Sequence, residues 1–196
     1  MSIALVAMRG DKLCLAADTL SSWGSHLMSA DYNKTASKII DTADSHIATT
    51  GMSVLADALN AIIAEEPQLL QLNSQLEVFQ SWNSLHQLLN EKYHLRQQGD
   101  EDEVESSHFS AIVANSSGAY IVAPLRSVDK LAKFWAIGSG SDYAFGAMHL
   151  AYSQGLSPRE ICAAGLAAAA EFDDGCGAPY EFRELTLSQP TISPAS

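Results

Sequence analysis

Ser2 stands where loss of Met1 leaves a hydroxyl residue bearing a free α-amino group. Such a residue carries its own general base, because an amine with an ordinary pKa of about 7.7–8.0 lies beside the Oγ that must give up a proton. A nearby lysine ammonium disfavours protonation of that amine and keeps it basic near neutral pH, and a carboxylate would hold the lysine charged and oriented. Asp18 is the carboxylate that fits this role. It ends the apolar run Leu13-Cys-Leu-Ala-Ala17, so it is expected to be partly buried and to need a cationic partner. Lys34 and Lys38 are the cations nearby, and Lys38 directly precedes Ile39-Ile40 at a strand end. On residue types alone, the simpler reading of Ser2 as a permissive second residue prevails. Asp11, Asp41 and Asp44 read as turn and cap residues.

Other chemistries lack their residues. Gly138-Ser139-Gly140-Ser141 does not have the spacing of a nucleophile elbow and reads as a tight turn before a helix. There is no Walker loop and no dinucleotide fingerprint. The six histidines show no metal-ligand spacing, so neither a metal nor an organic cofactor is expected. Cys14, Cys162 and Cys176 are odd in number and form no CxxC pair, which argues against a disulfide framework and for a reducing, cytoplasmic compartment. Eleven Lys+Arg against 23 Asp+Glu give a net charge of −12, a surface that repels nucleic-acid phosphates and anionic lipid. No apolar run approaches the ~20 residues of a membrane span, and the N-terminus lacks the pattern of a secretory signal.

The elements that must position these residues are short strands and paired helices. Ser2–Met8 and Lys12–Ala17 form one expected hairpin, and Lys38–Asp41 with His46–Thr49 form another, separated by a polar stretch. A helix opens at Gly51 with Leu55, Leu59, Ile62 and Ile63 on one face and stops near Pro67. A second helix runs from Gln75 to His94, with Phe79, Trp82, Leu85, Leu89 and Tyr93 on its apolar stripe. An acidic, solvated, mobile loop is expected over 96–106. Strands follow at His108–Ala114, Ala119–Ala123 and Lys133–Ile137. Helices come next at Asp142–Gln154 and Ser157–Glu171, the latter opened by a Ser157…Glu160 capping box, and Pro179–Leu187 is a last strand. The order predicts an α+β fold: a four-layer αββα sandwich of two antiparallel sheets flanked by helix pairs. With 196 residues and 47% hydrophobic composition, one domain over 1–187 and a tail over 188–196 are expected.

Taken together, these motifs resemble the proteasome β-subunit family of N-terminal nucleophile (Ntn) hydrolases, which includes the peptidase subunit of the bacterial two-component ATP-dependent protease and its small bacterial relatives. The resemblance spans Ser2 to about Leu187. Leu15-Ala-Ala-Asp18-Thr-Leu-Ser-Ser-Trp-Gly24 is similar to the family's second strand, with Asp18 sixteen positions after Ser2. Lys38-Ile39 resembles the family's catalytic lysine before an aliphatic residue, with Lys34 a rival at the family's own spacing. Thr49-Thr50-Gly51 resembles the turn whose glycine N–H forms the oxyanion hole. Ala136-Ile-Gly-Ser139-Gly-Ser-Asp resembles the glycine-serine-glycine turn whose serine supports the nucleophile's amine. In Asp173-Asp-Gly-Cys176-Gly177, Asp173 falls on a supporting aspartate and Cys176 on a serine.

The departures from the family pattern are Ser2 in place of threonine, Phe172 in place of an arginine, and about four extra residues between Asp18 and Lys38. The resemblance implies a peptidase acting on peptides or unfolded proteins by acyl transfer to Ser2 after loss of Met1. It further implies a ring-like homo-oligomer, an ATP-dependent unfoldase as partner, and no cofactor. A catalytically silent ring subunit and an amidase or acylase acting on small amides are the alternatives.

Overall fold

A computed structural model of the chain describes residues 2–94 and 109–188. The acidic loop expected over 96–106, and the tail beyond Ser188, lie outside the described residues.

Strands β1 (Ile3–Arg9) and β2 (Lys12–Asp18) pair across Gly10, whose φ of +60° suits a residue without a Cβ. A hairpin then occupies part of the polar stretch, β3 (Ser21–Trp23) with β4 (His26–Met28). Then come β5 (Ile39–Asp41), β6 (Ser45–Thr50), α1 (Ser53–Glu65), a 3-10 turn at Pro67–Leu69 and α2 (Gln75–Glu91). After the undescribed segment, β7 (Ser110–Asn115), β8 (Gly118–Val122) and the three-residue β9 (Val128–Lys130) lead to β10 (Phe134–Gly138). Helices α3 (Ser141–Ser153) and α4 (Pro158–Phe172) and strand β11 (Tyr180–Thr186) complete the chain.

Every strand pairing among the described residues is antiparallel. One sheet has the order β10-β1-β2-β11 and the other β5-β6-β7-β8-β9. Three buried clusters define the layers. Ala4, Val6 and Leu15 of the first sheet meet Ala48, Ile112 and Ala114 of the second. Ile3, Leu5 and Ala7 point the other way, onto Met148, Ile161 and Leu166 of α3 and α4. Ile47, Val113 and Tyr120 face Leu59 of α1 and Trp82 of α2. The period-2 alternation of β1 therefore buries both of its faces, which is why its sequence is an unbroken apolar run. The arrangement is the expected αββα sandwich. No described helix is long and apolar enough to cross a membrane.

The stripe of α2 runs through Val78, Trp82, Leu85 and Leu89, whereas Phe79 is 45% exposed. Phe79 lies one residue, about 100° of helix rotation, past the stripe, so the expectation that it faced the core is corrected. The Ser157…Glu160 capping box is present: Ser157 Oγ accepts from the Glu160 amide, and the Glu160 carboxylate accepts from the Ser157 amide at 2.8 Å.

Trp82 anchors the outer helix layer, with 1% of its surface exposed and its ring 6.4 Å from that of Phe109. Trp82→Ala is expected to cost about 3–5 kcal/mol, read as a lower urea midpoint at unchanged slope. A change of under about 1 kcal/mol would show that this layer does not pack as described.

Candidate active site

Asp18 ends β2 with no exposed surface, and its carboxylate accepts from four donors. Oδ1 receives the Ile3 amide at 3.0 Å and Lys38 Nζ at 2.5 Å, and Oδ2 receives the amides of Leu20 and Gly177, both at 3.2 Å. A carboxylate removed from water needs such donors, and bonds to a charged group are the stronger kind. The ammonium of Lys38 is itself largely covered, at 13% side-chain exposure. The strand that follows it puts Ile39 and Ile40 into the core and fixes where the lysine stem begins. Lys34 is exposed in the turns before β5, and the ion pair with Asp18 is made by Lys38.

Ser2 is buried at the start of β1, at the same end of the sandwich. Its main-chain nitrogen donates to Ser139 Oγ at 3.2 Å, and the Ser139 hydroxyl lies 3.4 Å from the Ser2 carbonyl oxygen. With Met1 attached this nitrogen is an amide; removal of Met1 turns it into an amine at the same place. The approach of the Gly138-Ser139-Gly140 turn demands glycines. A Cβ on Gly138, where φ is +102°, would stand 2.1 Å from the Ser2 carbonyl oxygen. One on Gly140 would stand 2.7 Å from the Ala169 Cβ and 2.9 Å from Cys176 Sγ.

Asp173 closes the loop after α4, accepting from the Gly175 amide at 2.8 Å. Its charge acts on Cys176, whose thiol is pushed up to about 12 by burial, then by the carboxylates of Asp18 and Asp173, against a hydrogen bond from Ser139. A thiol held protonated is not a competing nucleophile. Burial, followed by the charge of Asp18, also raises the pKa of the Tyr180 phenol. Cys14 and Cys162 lie in the core beneath α4, where burial raises the Cys162 pKa.

Gly51, at φ +133°, joins β6 to α1. It lines a cavity of about 770 Å³ with Ser2, Lys38 and the first turns of α1. No side chain caps the N-terminus of α1, unlike those of α2 and α4. The positive end of that helix dipole lies at the cavity edge. Among the described residues, no His, Cys, Asp or Glu cluster could hold a metal ion.

The main-chain donors of Ile3, Leu20 and Gly177 have no side-chain signature and are not legible in the sequence. The cavity walls formed by Trp23, Met28, Val54 and Asp57 were likewise not expected from the sequence. The spacing of Ser53 and Asp57, four apart in a helix that begins beside Gly51, was the available signal for the α1 wall.

Two outcomes test this geometry. Because the Cys176 pKa is higher folded than unfolded, the folded state keeps the proton while the unfolded state loses it between about pH 9 and pH 12. Stability is therefore lost as pH rises through that window, and urea titrations of Cys176→Ser should show a flatter decline there. An unchanged slope would contradict the assignment. Gly138→Ala should displace Ser2 and destabilise the fold by about 1–3 kcal/mol or more; wild-type stability would show that the turn does not press on Ser2.

No family model and no curated protein matches the chain. Solved structures do. Thiobacillus denitrificans BPH is 38% identical, with a TM-score of 0.90 over 96% of this chain and 100% of that one. A structure described as Thiobacillus denitrificans BPH in complex with epoxomicin is 37% identical, with a TM-score of 0.89 over 95% of this chain and 100% of that one. Eukaryotic HslV from Trypanosoma brucei shares the fold at 19% identity, with a TM-score of 0.67 over 94% of this chain and 99% of that one. The αββα sandwich, the residues gathered at its Ser2 end and a 38% identical relative covered along its whole length agree: the chain belongs to the proteasome β-subunit-like family of N-terminal nucleophile hydrolases.

Proposed function

We propose that the chain is a peptidase that cleaves peptide bonds by acyl transfer to Ser2 once Met1 has been removed. The observation that carries this reading is the buried Asp18–Lys38 ion pair, set at 2.5 Å beside a Ser2 whose nitrogen is held by Ser139. The relative whose structure is described as a complex with epoxomicin supports it.

In this mechanism Ser2 Oγ attacks the substrate carbonyl and its proton passes to the α-amine, directly or through one water. The Lys38 ammonium opposes protonation of that amine and so keeps it available as a base. The oxyanion of the tetrahedral intermediate is met by the Gly51 N–H at the N-terminus of α1. Collapse breaks the C–N bond; the protonated α-amine returns its proton to the leaving amine, and an acyl-Ser2 ester remains. Water then attacks that ester with the same amine as base, releasing the acid and restoring Ser2. Asp18 holds Lys38, Ser139 holds the amine, and Asp173 with Cys176 supports Ser139. A homo-oligomeric ring, an unfoldase partner and a cytoplasmic setting belong to the same proposal. The Tyr143–Phe172 aromatic pair, 47% and 67% exposed on α3 and α4, supports association of copies.

The test is the intact mass of the purified protein before and after incubation with a peptide epoxyketone, which needs both the terminal amine and Oγ to react. Loss of Met1 and one adduct are expected, with none in Ser2→Ala. Lys38→Met should slow adduct formation and peptide cleavage by about 10²-fold or more while Met1 is still removed. Retained Met1 with no adduct would replace this reading with a structural ring subunit. Turnover of simple amides in preference to peptides would replace it with an amidase.

A further inference from the structure

The cavity beside Ser2 has a chemical character of its own. One wall is the first two turns of α1, including Val54 and Asp57; the opposite wall is the β3–β4 hairpin, with Trp23 and Met28. Two ionisable side chains line it among the described residues, Lys38 and Asp57. Lys38 is already committed to the buried Asp18 carboxylate, at 2.5 Å. Asp57 is exposed toward solvent and has no hydrogen bond or ion pair with any described residue. The cavity therefore carries one uncompensated negative charge, on walls that mix serine and threonine hydroxyls with apolar side chains such as Trp23, Met28 and Val54.

The position of that charge matters. Gly51 marks where the scissile carbonyl would sit, and Asp57 is on the second turn of α1, about 6 Å along the helix axis from Ser53. A side chain that starts near Ser2 and runs along α1 passes Met52, Ser53 and Val54 before it reaches the carboxylate. Lysine and arginine suit that path, with an alkyl stem and a cationic head. Trp23, 55% exposed at the rim, adds an aromatic face on which a guanidinium can stack. A wholly aliphatic side chain would leave the Asp57 carboxylate without a partner, and an acidic one would be repelled.

We infer that Asp57 is a specificity-determining residue, and that the substrates are peptides bearing arginine or lysine on the acyl side of the cleaved bond. This inference rests on the peptidase reading above and narrows it to a substrate class.

The experiment compares aminomethylcoumarin amides of peptides that differ in the last residue alone (Arg, Lys, Leu or Asp), using protein that has lost Met1. Adduct formation with an epoxyketone is measured in parallel. The expected kcat/KM for the Arg and Lys peptides exceeds that for Leu by about tenfold or more, and rising salt narrows the difference. Asp57→Asn should lower the Arg-to-Leu ratio by about tenfold, and Asp57→Lys should raise the Asp peptide above the Arg peptide. Thermal unfolding of each variant separates a folded, altered enzyme from a misfolded one. An adduct together with a preference for Leu, or an Arg-to-Leu ratio unmoved by Asp57→Asn, would overturn the inference and leave the Ser2 chemistry standing. Absence of both adduct and cleavage would overturn the inference together with the peptidase reading.

Discussion

A carboxylate with no exposed surface, set 2.5 Å from a lysine ammonium, is the interaction on which the Ser2 end of this fold depends. Taking either charge out of water alone would cost several kcal/mol, so each requires the other, and the carboxylate requires its backbone donors as well. The partners of Asp18 come from four places in the chain: the start of β1, the turn after β2, the residue before β5 and the loop before β11. Asp18 belongs to the four-stranded sheet and Lys38 leads into the five-stranded one, so the pair ties the two sheets together at one end. Satisfying one buried charge thus brings the nucleophile's strand, the lysine and the Asp173–Gly177 loop to a single point.

Close approach of backbone supplies the second constraint. Gly138 and Gly140 let the β10–α3 turn press against the Ser2 carbonyl on one side and against Ala169 and Cys176 on the other. Ser139, between them, has its hydroxyl beside both main-chain polar atoms of Ser2. The two constraints act on different parts of the same residue. Asp18 and Lys38 set the electrostatics around Ser2, and the glycine-flanked turn fixes the position of its nitrogen. Ser2 lacks the β-methyl group that would restrict its χ1, so this outside fixing of the backbone matters more than it would for threonine.

The layers of the fold were legible because their signals are local and periodic. The apolar runs of β1 and β2, the helical stripes and the Ser157…Glu160 capping box each announce an element without help from the rest of the chain. The residues gathered around Ser2 were legible in a different way: Asp18 and Lys38 sit where polar side chains interrupt strand ends, whereas Ser139, in a run that alone reads as a tight turn, was marked by the family resemblance. The β3–β4 hairpin and β9 were not legible, since each strand is three residues long and too short for alternation to show. The main-chain donors to Asp18 leave no mark in side-chain chemistry at all. Phe79 and Val78 are adjacent apolar residues, and tertiary packing, not hydrophobicity, decides which of the two is buried.

The central claim is that the Asp18–Lys38 pair acts on the nitrogen of Ser2. Its most direct test is an NMR pH titration of the ¹⁵N-labelled Ser2 α-amine in protein that has lost Met1. The account predicts an amine that titrates below the ordinary range of about 7.7–8.0 and moves up in Lys38→Met, where the cation is gone and the carboxylate remains. An amine that titrates in the ordinary range and is indifferent to Lys38→Met would contradict it.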